Sequence, residues 1–236
     1  MNPYLFCTYL ITIVIFTIVI LVIFLAWRAF FPKRWLIFLV VSFTAVIAGL
    51  SVLLLAELMA PYNSNYYFNP FLYIIYFGLI GCSMFSIYLL VIEIHYKHIK
   101  ALTVIGYLLF IVSIIFLLIS SIFLSFIKLQ NYLWITYLAF ELIYAIGIIA
   151  YILLAIGSFS NASSDRLERK VRIELILVGV LSLGIAFGLS IIAIGILFVD
   201  FSIPLHPSVS IFWLLWISFV AIMFLVMVRR AIGLFT

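Results

Sequence analysis

The sequence predicts an all-α fold: a polytopic transmembrane bundle of seven helices, N-terminus outside and C-terminus cytoplasmic. Three observations predict it. Hydrophobic residues make up 69% of the 236-residue chain and charged residues 8%, where a soluble domain has about 45–50% and about 25%. Apolar runs of ~20 residues recur along the chain, and each can cross a ~30 Å hydrocarbon layer as a helix. The basic residues fall in alternate connections, as the positive-inside rule requires. Strands do not fit, because barrel strands alternate apolar and polar residues and these runs are continuous.

The expected spans are 4–27, 35–58, 70–93, 102–127, 132–157, 173–198 and 209–228. The chain begins MNPYLFCTYLITIVIF, entering the first of these spans. It has no basic residues ahead of the apolar run and no small-residue cleavage site after it, so a retained span is expected rather than a signal peptide. The connections are short, and residues 1–236 read as one bundle domain.

Eleven of the twelve Lys and Arg residues fall on one side of this arrangement. Arg28, Lys33 and Arg34 lie in the first connection, Lys97 and Lys100 in the third, Arg166, Arg169, Lys170 and Arg172 in the fifth, and Arg229 and Arg230 at the C-terminus. Only Lys128 stands opposite. That side is expected to be cytoplasmic. Trp27 and Trp35 flank the first inner loop, and Tyr62, Tyr66 and Tyr67 fill the first outer one, as interfacial aromatics do. Asp165 with Glu168 three residues on makes a capping-box pattern that predicts a helix start.

The formal net charge of +5 follows this topology and does not imply nucleic acid. The expected surroundings are the lipid bilayer and a protein partner, in the membrane or at the cytoplasmic face. Cys7 and Cys82 lie in apolar runs with no metal-binding spacing. No GxSxG, HExxH or phosphate-gripping loop occurs, so no catalytic residues, metal or cofactor are expected. A retinal Schiff base would need a mid-membrane lysine, and intramembrane haem would need paired histidines inside spans. The chain offers neither.

Glu141 interrupts the span 132–157 near its middle. A carboxyl at that depth normally faces the bundle interior and finds a partner. Helical spacing puts Trp134, Tyr137, Tyr144 and Tyr151 on its side. No span contains a central Lys, Arg or His, so a neutral, hydrogen-bonded carboxyl is expected rather than an ion pair. Glu141, Tyr137 and Tyr144 are the candidate ligand or proton site, and an interhelical packing bond is the plainer alternative. In the span 173–198, Gly184 and Gly188 form GxxxG and Gly195 extends that face. Such small residues are expected to pack closely inside the bundle. The stretch EIHYKH, Glu93 to His98, is expected to be a solvated patch near anionic lipid, with Glu93 and Lys97 paired across one turn.

With its short loops and basic fifth connection, this arrangement resembles the seven-helix sensor region that precedes the effector in some prokaryotic histidine kinases and related signalling proteins. The stretches that carry the resemblance are PKRWLIFLVVSFTAVIAGLSVLLLAEL and SSDRLERKVRIELILVGVLSLGI. The resemblance implies a multi-pass cell-membrane protein of prokaryotic type. In that family an effector usually follows the last helix, and none follows RRAIGLFT here, so a separate partner would carry the output. The leading expectation is therefore a receptor-like sensor or adaptor. Arg166, Glu168, Arg169, Lys170 and Arg172 would form its cytoplasmic partner surface. The alternatives are a non-catalytic structural subunit of a larger membrane complex, and a proton-coupled transporter using Glu141.

Overall fold

The computed structural model describes residues 34–59, 70–126, 132–164 and 168–198, with scattered positions between 10 and 24. All regular structure among them is helical. Helix α1 is Arg34–Met59, α2 Pro70–Val91, α3 Lys100–Phe126, α4 Tyr132–Ala162 and α5 Arg169–Phe198. The described positions between 10 and 24 are helical too. The expected span 209–228 lies outside the described residues. By length and composition, four helical stretches can cross a membrane: Ile74–Tyr96, Lys100–Ile122, Leu138–Ala162 and Arg169–Ile194. A shorter apolar stretch, Ile37–Val52, lies within α1.

Local chemistry accounts for the ends. Pro70 is the first residue of α2, where its missing N–H removes no helical bond. At its other end α2 passes into a π-helical turn, Ile92–Tyr96. The Ile99 amide then donates to the Tyr96 carbonyl at 2.8 Å, turning the chain into α3. Helix α4 runs on past the apolar stretch to Ala162, where the Ser163 amide donates to Phe159 O at 3.0 Å. At the start of α5 the Arg172 amide donates to Glu168 O at 3.0 Å. Glu168 therefore occupies the N-cap position itself, not the third helical position the capping box assigned it. Asp165 lies outside the described residues.

Neighbouring helices alternate in direction. Ser42 Oγ meets Ser83 Oγ at 2.8 Å, and Gly49 faces Tyr76, so α1 and α2 are antiparallel. Gly106 lies under the Tyr88 ring and Gly78 faces Leu117, so α2 and α3 are antiparallel as well. Gly147 faces Leu189 and Gly179 faces Phe159, which sets α4 antiparallel to α5. The pair α2 and α4 is parallel, with Phe77 against Phe140, Gly81 against Ile143 and Gly157 against His95. It follows that the start of α1, the turn 97–100 and the segment 163–172 share one end of the bundle. Arg34, Lys97, Lys100, Arg169, Lys170 and Arg172 are all at that end.

Helices α2 and α4 are central. Tyr88, Leu90, Ile143, Ile146, Tyr151 and Leu154 are almost wholly enclosed, with Leu39 and Phe43 of α1 and Ile185 and Leu189 of α5. Helix α3 is peripheral and turns Val104, Leu108, Ile111, Ile115, Leu118 and Ile122 outward. Water would penalise an apolar face of this length, whereas hydrocarbon matches it. Several buried hydroxyls are satisfied within their own helices, as in Ser182 Oγ to Val178 O at 2.7 Å and Ser86 Oγ to Cys82 O at 2.7 Å. This is the construction of a helical membrane protein.

Candidate functional site

The core of α4 forms two stripes, and Glu141 lies between them. Phe140, Tyr144, Tyr151 and Leu154 are buried, while Leu138, Ile152 and Ile156 face outward. Glu141 sits half-buried on the margin. Its Oε1 is enclosed, and among the described residues no hydrogen-bond partner reaches it. The expectation of a hydrogen-bonded Glu141 is therefore not met at this oxygen. A buried acceptor left unmet costs about 1–3 kcal/mol, so such a group calls for an explanation.

The surroundings are aromatic. Tyr144 is fully enclosed on the same helix, and Tyr76 of α2 and Glu141 both lie within electrostatic range of its hydroxyl. Phe77 and Phe140 meet beside them, and Tyr76 packs edge-on against Phe77 at 4.8 Å between centroids. Tyr76 was not legible as a site residue, because only the α2–α4 packing brings it to α4. Tyr137 lies one turn before Glu141 on α4, and its side chain is outside the described set, like that of Trp134. The register of α4 on α5 pairs Gly147 with Leu189. Six residues towards the N-terminus of α4 is Glu141, and six residues on along α5 is Gly195, so the two stand at one level.

The three glycines singled out on α5 do not behave alike. Gly188 is buried, but Gly184 is exposed and a Cβ there would meet nothing within 4 Å. Gly184 therefore departs from the expected interior packing, because one turn of drift around α5 carries it to the outer edge beside Phe187, itself 69% exposed. For Gly195 only the helical backbone position is described. The glycine that does bring α5 close to α4 is Gly179, which lies against the Phe159 ring.

At the basic end, Glu93 and Lys97 pair at 3.0 Å as their spacing indicated, and Lys97 and His98 are exposed. His95 is half-exposed and packed on one side. Its ring lies on Gly157, and its Nδ1 is 3.2 Å from Asn161 Nδ2. The Tyr96 hydroxyl donates to Leu153 O at 3.0 Å. The π turn makes these contacts possible by rotating His95 and Tyr96 onto α4, and nothing in the hydropathy pattern signalled it. Of the residues assigned to a partner surface, Glu168, Arg169 and Lys170 are exposed. Arg172 is half-buried and donates from Nη2 to Ser164 O at 3.3 Å. Arg166 lies outside the described residues.

Fold and site together define a helical membrane protein with an enclosed carboxyl oxygen at a helix seam. No protein family matches the chain, and no curated protein or solved structure is significantly similar to it.

Proposed function

We propose that the protein is a seven-span membrane receptor or adaptor, with its N-terminus outside and its basic end in the cytoplasm. It would bind an apolar or amphipathic molecule at Glu141, Tyr144 and Tyr137 and signal through a separate partner. One observation supports this reading above the rest: the Glu141 oxygen is enclosed at mid-helix, and no group among the described residues satisfies it. A carboxyl kept for packing would be bonded across the seam. A carboxyl kept for a ligand is left waiting. Helix α5 links the two ends, since its register stands level with Glu141 and its first turn carries Arg169, Lys170 and Arg172. The cell membrane, of prokaryotic type, is the proposed location, following the resemblance to kinase sensor regions.

The exposed Gly184 supports a second reading, a structural subunit of a larger complex. A glycine at the surface lets a partner helix approach closely. Native mass spectrometry after gentle extraction from the native membrane separates the two. A single chain or small oligomer retaining a small molecule supports the receptor, and a large assembly of fixed stoichiometry contradicts it.

A further inference from the structure

We infer that the molecule recognised at Glu141 is a lipophilic amine: a basic nitrogen on an apolar chain, entering from the bilayer along the outer edge of α4. The inference rests on the reading of Glu141 as a ligand contact and names what that contact recognises.

Three features select this class. The first is the orphan oxygen itself, which needs a donor. Among the described residues no Lys, Arg or His lies in the middle of a span to pair with it as a cation; those within the stretches stand at the basic end. A donor from an amine makes a charge-assisted hydrogen bond, roughly twice as strong as a neutral one. An alcohol or amide makes only the weaker kind, and an acid brings a second carboxyl against the first.

The second feature is the aromatic shell. Tyr144 is buried within electrostatic range of both Glu141 and Tyr76, and the buried Phe140 immediately precedes Glu141 on α4 and meets Phe77. The faces of such rings attract a cation by about 2 kcal/mol when desolvated, and they offer an anion nothing comparable. The third feature is access. Glu141 is at the margin of the buried stripe, one turn from the outward-facing Leu138. The residue as a whole is only half-buried, so a headgroup can approach the carboxyl from this edge while its tail remains in lipid.

The test uses the full-length protein in phosphatidylcholine nanodiscs with two probes of equal chain length, N,N-dimethyldodecylamine and dodecanol. Wild type should retain the amine at least about tenfold more tightly than the alcohol, the gain expected from one charge-assisted bond. Glu141→Gln should abolish that preference. A dicyclohexylcarbodiimide footprint on the wild-type protein gives a second readout that needs no variant. The amine should protect Glu141 from the reagent, and dodecanol at the same concentration should not. If dodecanol binds and protects as well as the amine, the amine class is wrong while Glu141 remains a ligand contact. If neither probe protects Glu141 and Glu141→Gln changes no affinity, both the amine inference and the ligand reading fall.

Discussion

The Tyr96 hydroxyl donates to the carbonyl of Leu153 at 3.0 Å, tying the π turn after α2 to the last turns of α4. Two helices that do not follow each other in sequence are thereby held parallel, with both C-terminal ends at the basic end of the bundle. Removing this bond by Tyr96→Phe should cost about 0.5–1.5 kcal/mol. Unfolding in SDS titrations of wild type and variant measures it. An unchanged midpoint would mean that the bond does not hold the two ends together.

The same parallel arrangement fixes sidedness. In a background without Cys7 and Cys82, single cysteines at His98→Cys and Ser164→Cys should react with an impermeant maleimide from the same side of the membrane. Ser64→Cys, in the connection between α1 and α2, should react from the other. The orientation proposed here makes the first two cytoplasmic. Labelling of positions 98 and 164 from opposite sides would break the parallel α2–α4 pairing.

Glycine substitutions should divide by what their Cβ meets. Gly106→Ala pushes into Tyr88, a ring that cannot swing away because it is 1% exposed and its hydroxyl donates to Leu102 O at 2.5 Å. A cost of about 1–3 kcal/mol is expected. Gly184→Ala meets open space and should change the stability of the isolated protein by less than about 0.5 kcal/mol. If Gly184→Ala instead destroys a native assembly while leaving the purified chain stable, the subunit reading gains. Thermal unfolding and native extraction of both variants decide this.

Ser42 and Ser83 share one buried hydrogen bond at 2.8 Å between α1 and α2. Either single alanine leaves the other hydroxyl without its cross-helix partner, at about 0.5–2 kcal/mol within a membrane. The double alanine should cost less than the two singles together, because it removes both ends of one interaction. Strict additivity in a double-mutant cycle would show that the two serines are not coupled.

The positions of the helices were legible in the sequence to within a few residues, since 35–58, 70–93, 102–127, 132–157 and 173–198 all correspond to helices found. Long apolar runs leave the backbone no alternative in lipid. The facing of those helices was not legible. A helix in water shows its buried side by its apolar stripe, but here lipid and core are equally apolar, so Leu118 on the outside and Leu117 on the inside look alike. That is why the exposure of Gly184, the nearness of Tyr76 to Tyr144 and the seat of His95 on Gly157 emerge only from packing. Glu141 was legible as a candidate site because a single charged letter in such a run stands out. Its lack of a partner was not, since that depends on what the neighbouring helices fail to bring.

That missing partner is the centre of the account, and the stability of Glu141→Met tests it most directly. Methionine nearly matches glutamate in length and removes the orphan acceptor. Wild type and variant should be delipidated, then unfolded under identical conditions in detergent. The account predicts that Glu141→Met is the more stable protein, by about 1–3 kcal/mol, the cost of an unmet buried polar group. A variant less stable than wild type by a similar amount would show that Glu141 bonds across the seam, and that its role is to hold the bundle together.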